Sequence, residues 1–547
     1  MSDGTMSPPP DAAFFVREVD SAVRRSDLAQ AVALARQGLA QGIDHPLLLH
    51  LRAHSLSDEG RYEDALKDLE RARELSPDEP RIPNGIGECL VKAERYAEAV
   101  PAFEAALRLW PEYPLARYNL GFALESLGEP RLAEEAYRRA AAVDPEYADP
   151  LARLAGLAAE RLDWNAASSL GQRALMIDAQ NVMAHLALAK SDLAAGETPA
   201  AEDRIQTVLG NERIDALERA SATKLLGDIL DRQHRIDEAF KTYTAANEQF
   251  CNFFGPRLTA RNIEPTPVFA ERIAAHVRGL PQMPTVHSDS ARQDAAGLVF
   301  LIGFPRSGTT LLGQILAAHP DVVTLEEKLP IIDADRDFLR APGGLERLQR
   351  ASEDDLEPYR RSYWKYVRGF GVHVRDKVIV DKLPMHTFRL PLIARLFPTA
   401  KILFALRDPR DVVWSAYRRP FMINAFTYEL LRLESAASLY DAVMRLRELC
   451  LSKLSIALLD VKQEDVTRSF DTEVQKVCHH LGLPWRSSMR RFAESAVRQN
   501  IATPSSSQVR AGLNEDGIGQ WRRYGQHLAP VLPVLQPWVE KFGYPTE

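Results

Sequence analysis

Leu298-Val299-Phe300-Leu301-Ile302 is a short continuous apolar run, and Gly303-Phe304-Pro305-Arg306-Ser307-Gly308-Thr309-Thr310 follows it as a glycine-bounded turn. A helical pattern from Leu311 to Ala318 comes next. Strand, loop and helix in that order open an α/β nucleotide-binding domain. Gly303 and Gly308 have the spacing of a Walker A loop, yet Thr309 stands where that loop has its lysine. The lysine reaches the β/γ-phosphates of a nucleoside triphosphate, so its absence argues against ATP or GTP transfer. Loop amides and the N-terminus of the following helix can still hold a 5′-phosphate. Arg306 adds a fixed positive fork beside the transferred group.

Downstream, Lys377–Asp381, Lys401–Leu406 and Leu454–Leu459 read as further strands separated by helical segments, which predicts parallel strands with crossover helices. Arg407 directly follows the third of the four runs, in Arg407-Asp408-Pro409-Arg410-Asp411-Val412-Val413-Trp414-Ser415. Such an Arg, with a Ser eight residues on, can reach one phosphate at the C-terminal edge of the sheet.

Upstream the character changes. Residues 12–250 are rich in Ala, Leu, Glu and Arg at helical spacing. Pro77, Pro111 and Pro145 share one register with Ala179, and Ala65, Ala99, Ala133, Ala167 and Ala201 share another. Gly60, Gly128 and Gly196, with Glu94 and Leu162 between them, form a third, and Ala53, Gly87, Gly121 and Ala155 a fourth. All four series have the same period of 34 residues. Each unit is then a helix, a tight turn, a second helix and a break, with small residues where paired helices meet. This resembles the tetratricopeptide repeat. The unit around Gly227 and Ala239 is out of phase by four residues, which predicts a short insertion before it. Residues 1–11 read as a disordered start, 251–296 as a helical connector ending in an exposed loop, and 297–547 as the second domain. The expected architecture is an α-solenoid of tetratricopeptide repeats followed by an α/β P-loop-like domain with a parallel sheet.

Composition narrows the function classes. The chain of 547 residues is 46% hydrophobic and carries a net charge of −7, which gives no general attraction to nucleic acid or an anionic membrane. Cys89, Cys251, Cys450 and Cys478 are scattered and form no metal-binding pair. No apolar run approaches membrane-spanning length. The opening lacks the basic and apolar regions of a secretory signal. A cytoplasmic, metal-free chain is expected, without a nucleic-acid partner, with a protein or peptide bound by the repeats, and with homodimerisation left open.

The segment Pro305-Arg306-Ser307-Gly308-Thr309-Thr310-Leu311 resembles the 5′-phosphosulfate loop of sulfotransferases, whose donor is 3′-phosphoadenosine-5′-phosphosulfate (PAPS). Its continuation, His319-Pro320-Asp321 and then Leu325-Glu326-Glu327, is most similar to the tyrosylprotein sulfotransferase branch. The resemblance covers about residues 297–545. It implies that Arg407 and Ser415 bind the donor's 3′-phosphate. It implies that the polar run Thr503–Arg510 closes over the donor, with Ser505, Gln508, Val509 and Arg510 in contact. Glu327 is the implied general base, with Glu326 its main competitor and His386 a further alternative; His319 reads as structural. Lys382, just after the second strand, would stabilise the departing oxygen, and Arg306 and Ser505 would complete the polar cage. Two departures stand out. Gln463 replaces a usual Tyr, and Gln520 precedes Trp521 where a basic residue is common, with Arg522 or Arg523 as compensation. The implied activity is transfer of the sulfuryl group of PAPS to a hydroxyl, tyrosine in a protein or peptide being one acceptor. The alternatives are a degenerate nucleotide kinase, which Thr309 disfavours, and a repeat scaffold with an inactive or nucleotide-sensing domain.

Overall fold

The structure is a computed structural model, and it describes residues 12–212, 214–281, 297–372, 374–494 and 512–546. Ser505, Gln508, Val509 and Arg510 lie outside the described residues, as do 1–11 and the exposed loop expected before residue 297. Two compact units emerge. One runs to Ser191 except for Glu160–Leu162, and the other holds those three residues and Asp192 onward.

The first unit is a stack of antiparallel helix pairs. They include Pro46–Asp58 with Tyr62–Leu75, Arg81–Lys92 with Tyr96–Leu109, and Pro114–Ser126 with Pro130–Val143. The turn position is left-handed in every case, with φ near +78° at Gly60, +59° at Glu94, +73° at Gly128 and +62° at Leu162. Two side-chain-bearing residues thus accept an αL conformation that costs about 1–2 kcal/mol without glycine, because the helices on both sides fix it. The small-residue series has a packing cause. A Cβ added at Gly121 would lie 2.6 Å from the ring of Tyr137, which is fully buried. Gly121→Ala is expected to lower the chain's stability by about 1–3 kcal/mol through overpacking, read as a lower denaturant midpoint.

The second unit opens on repeat helices and continues into the α/β domain. Its last repeat hairpin is α1 (Ala216–Arg232) and α2 (Ile236–Ala260). The left-handed turn between them falls at His234, against Gly196 one repeat earlier, so the period lengthens here by the four residues expected. The 17-residue α1, against 14 residues for Val182–Ala195 one repeat earlier, takes up much of the insertion. Helix α2 runs without a break through residue 250 and through Pro256. Helix α3 (Thr266–Gly279) follows.

The sheet is wholly parallel. Its strands are β1 (Leu298–Gly303), β2 (Val322–Glu326), β3 (Val378–Lys382), β4 (Lys401–Leu406) and β5 (Ala457–Lys462), in the order β2-β3-β1-β4-β5. Strand β1 is buried along its whole length and lies between β3 and β4. The topological switch therefore falls beside β1, where α/β sheets bind ligands at their C-terminal ends. Helix α4 (Thr309–Ala317) follows β1 and buries Leu312, Ile315 and Leu316 against Val299, Leu301 and Val380. Each such side chain contributes about 1.5–3 kcal/mol of burial. Helices α5 (Pro409–Arg418) and α6 (Leu433–Lys453) complete the frame used below, with α3 packed against α6.

Strand β2 was not foreseen, and the last strand is Ala457–Lys462 rather than Leu454–Leu459. Both are edge strands with interrupted burial, so neither shows the continuous apolar run of a central parallel strand. Leu454 instead caps the C-terminus of α6. Among the described residues no helix is long and apolar enough to cross a membrane.

Candidate active site

Two polar clusters sit at the C-terminal ends of the strands. The first is built on the loop after β1. Arg306 and Gly308 both have positive φ, +72° and +98°, which turns the loop tightly into α4. Helix α4 starts at Thr309, two residues earlier than its apolar pattern suggested, so Thr309 and Thr310 belong to its first turn, where backbone amides point out of the helix N-terminus. Gly303 cannot be replaced cheaply. A Cβ there would lie 2.7 Å from Ser307 Oγ and 2.8 Å from the Ala405 carbonyl. The Ser307 hydroxyl donates to the Phe304 carbonyl at 2.6 Å and holds the turn. Pro305 lies in this loop beside Arg306.

Arg306 Nε donates to Ser415 Oγ on α5 at 3.0 Å. Arg407, at the end of β4, donates through Nη1 to the Arg306 carbonyl at 3.1 Å and through Nη2 to the Gly517 carbonyl. Arg306, Arg407 and Ser415, far apart in sequence, thus form one buried group. Burial first, then Arg419, Arg407 and Arg418, push the Arg306 guanidinium well below its ordinary value. Burial likewise lowers Arg407, with Asp411 and Glu464 opposing. A low-dielectric pocket crowded with like charge favours a bound anion.

The other charged residues of the motif around Arg407 have structural work. Asp408 accepts from Arg410 through both carboxylate oxygens, at 2.9 and 2.7 Å, and Arg410 lies over the Trp521 ring at 4.0 Å. Asp411 accepts from the amides of Gly519 and Trp521, at 2.6 and 2.9 Å, and ties the C-terminal segment to α5. Gln463 lies against the loop after β1. A Cβ at Gly308 would be 3.1 Å from its Oε1.

The second cluster joins β2 and β3. Glu326 pairs with Lys382 in the ladder, and Lys382 Nζ lies 2.7 Å from Glu326 Oε2 and 2.9 Å from Glu327 Oε1. Lys382 is wholly buried. Burial pulls its ammonium down, but Glu326 and Glu327 outweigh it, and the net shift is upward. Gln314 on α4 donates to Glu326 Oε1 at 3.0 Å. Glu327 carries the ladder one bond further, its amide donating to the Lys382 carbonyl at 2.9 Å, and adopts φ +51°. Its side chain is 39% exposed, against 22% for Glu326, so Glu327 is the more accessible of the two carboxylates.

His386, the alternative base, is fully buried. Its Nε2 meets Asp381 Oδ1 at 3.0 Å, while Tyr363 donates to Asp381 Oδ2 at 2.9 Å. His319 bridges backbone groups, with Nδ1 accepting from the Asp321 amide and Nε2 on the Pro484 carbonyl. Sequence reasoning missed Gln314, Arg418 and Arg419. Arg418 follows Ser415 by three residues, the spacing that puts side chains on one helix face, and this was the available signal; Arg419 caps the end of that helix. Gln520 accepts from Arg418, and Arg523 pairs with Asp231 at 3.3 Å.

Residues 299–487 match the sulfotransferase family. The segments 50–114, 86–150 and 186–250 match the tetratricopeptide repeat. This chain carries a repeat region and a C-terminal sulfotransferase domain. An uncharacterised protein of Aquifex aeolicus is 27% identical over 365 residues, 62% of this chain and 44% of its own length. Protein-tyrosine sulfotransferase A of Caenorhabditis elegans is 24% identical over 274 residues, 48% of this chain and 71% of that protein. Protein-tyrosine sulfotransferase 1 of Danio rerio is 25% identical over 258 residues, 45% of this chain and 72% of that protein. The chain therefore spans less than half the length of the Aquifex relative. A tetratricopeptide repeat protein from Parabacteroides merdae superposes with a TM-score of 0.35 at 16% identity, covering 43% of this chain and 92% of that one.

Proposed function

We propose that the sulfotransferase domain uses PAPS as donor and transfers its sulfuryl group to a hydroxyl of a protein or peptide, tyrosine being the favoured acceptor. The observation that carries the donor reading is the buried group of Arg306, Arg407 and Ser415 at the head of α4, where Arg407, Arg418 and Arg419 crowd the Arg306 guanidinium. Arg407 and Ser415 would hold the 3′-phosphate, and the loop Pro305–Thr310 the 5′-phosphosulfate. The acceptor oxygen attacks sulfur, the bond from sulfur to the bridging oxygen breaks, and 3′,5′-adenosine bisphosphate leaves. Glu327 takes the acceptor proton. Lys382 donates to the bridging oxygen as negative charge develops there. Arg306 faces the transferred group, and Ser505, Gln508, Val509 and Arg510 are the family's further donor contacts.

The named tyrosine sulfotransferase relatives favour tyrosine over other hydroxyls. The repeats would bring the acceptor protein. Asn119 bridges successive repeats, donating to Asn84 at 3.1 Å and Glu88 at 3.0 Å, and such side-chain amides suit an extended peptide. Four buried free thiols support a reducing, cytoplasmic setting. Calorimetry tests the donor reading. The chain is expected to bind 3′,5′-adenosine bisphosphate at least about a hundredfold tighter than ATP, since a charged hydrogen bond contributes about 1.5–3 kcal/mol and the 3′-phosphate takes more than one. Equal affinities overturn it.

A further inference from the structure

The terminal repeat hairpin packs on α5, the helix that presents Ser415. Phe240 of α2 stacks on Trp414 and Tyr417, with centroids 6.1 and 6.0 Å apart. Lys224 Nζ and Asn247 Nδ2 both donate to the Tyr417 carbonyl, at 2.8 and 3.1 Å, and so cap a helix end whose last carbonyls have no partner within the helix. Asp231, near the end of α1, reaches further. Its Oδ2 accepts from Arg418 Nη1 at 3.0 Å and its Oδ1 from the Tyr524 hydroxyl at 2.6 Å. Arg418 Nη2 donates to the side-chain carbonyl of Gln520. The Arg418 side chain is 5% exposed, and its charge acts on both Arg306 and Arg407.

We propose that Asp231, a residue of the repeat region, is a positioning residue for the donor pocket, fixing Arg418 so that its charge adds to that of Arg306 and Arg407 around the 3′-phosphate. An arginine at a helix end has many rotamers and ordinarily extends into water. Two fixed acceptors, one from a repeat helix and one from the segment before Trp521, hold this one against the pocket. The terminal repeat then contributes to donor binding without touching the nucleotide. This rests on the PAPS reading above.

The test uses the full-length chain and calorimetry. Asp231→Asn is expected to weaken 3′,5′-adenosine bisphosphate about tenfold, the scale of one charge-assisted contact. Binding of 5′-AMP, which lacks the 3′-phosphate, should stay within about twofold, inside the ~0.5 kcal/mol expected where no contact is lost. Charge alone predicts the reverse, because removing a carboxylate makes the pocket more positive and would tighten an anion. Asp231→Glu should recover most of the affinity. Tyr524→Phe removes another donor to Asp231 but leaves the Arg418 pair, and should bind as the parent does. Unchanged or tighter bisphosphate binding by Asp231→Asn overturns the proposal, as does an equal loss in Tyr524→Phe or an equal loss for 5′-AMP. A parent chain that binds no bisphosphate overturns the donor reading itself.

Discussion

Glu327→Gln is expected to lower sulfuryl transfer about 10²–10⁴-fold, the usual worth of a general base, while leaving calorimetric binding of 3′,5′-adenosine bisphosphate near the parent value. The substitution keeps size and shape, so the left-handed backbone at this position meets no new obstacle. It removes the ability to accept a proton and the negative charge facing Lys382, while the amide oxygen can still accept from that ammonium. The comparison with Glu326→Gln decides between two neighbours that both touch Lys382. Glu326 is engaged by Gln314 and is the less exposed carboxylate, so its amide variant should act mainly through Lys382 and cost less in turnover. A Glu326→Gln variant without transfer beside an active Glu327→Gln would exchange the two roles.

Lys382→Met should cost both activity and stability. Methionine fills the volume of the lysine stem but leaves Glu326 and Glu327, side by side at the end of β2, with no cation facing them from β3. Breaking a buried pair costs about 3–5 kcal/mol, and the lower end applies because water reaches Glu327. Transfer should fall about 10²–10⁴-fold, since the departing oxygen loses its proton donor. The sign of the pH dependence follows from the upward shift of Lys382. A raised ammonium contributes its stability fully below the ordinary lysine value of about 10.4 and loses it as pH climbs through the raised one. Denaturant midpoints of parent and variant should therefore stay apart from neutral to mildly alkaline pH and converge only beyond. A constant gap at every pH would assign the loss to packing rather than charge.

Much of this was legible before any coordinates. The repeat register was visible because small residues recur where paired helices meet, with glycine against a ring at Gly87 and Phe103, Gly121 and Tyr137, and Gly227 and Tyr243. The central strands were visible because burial on both faces writes continuous apolar runs. Arg407 and Ser415 were placed together from their spacing on a strand end and a helix. Strand β2 was missed, and with it the reason Glu327 stands where it does: it ends an edge strand rather than trailing a helix. Gln314 was invisible because one glutamine on an apolar helix has no signal until its partner strand is placed. Asp231 was invisible for a different reason. Its partners Arg418 and Tyr524 lie 187 and 293 residues away, and no local pattern encodes that separation.

The unbroken helix α2 bears on how the protein can be re-engineered. A recombinant chimera that exchanges the solenoid for another recognition module cannot be joined at residue 250, because that splice cuts through α2 and discards the Lys224, Phe240 and Asn247 contacts beneath α5. The junction that respects the packing lies near Ser191, where the first compact unit ends. Swapped there, the α/β domain would keep its own last hairpin and accept a foreign array upstream of it.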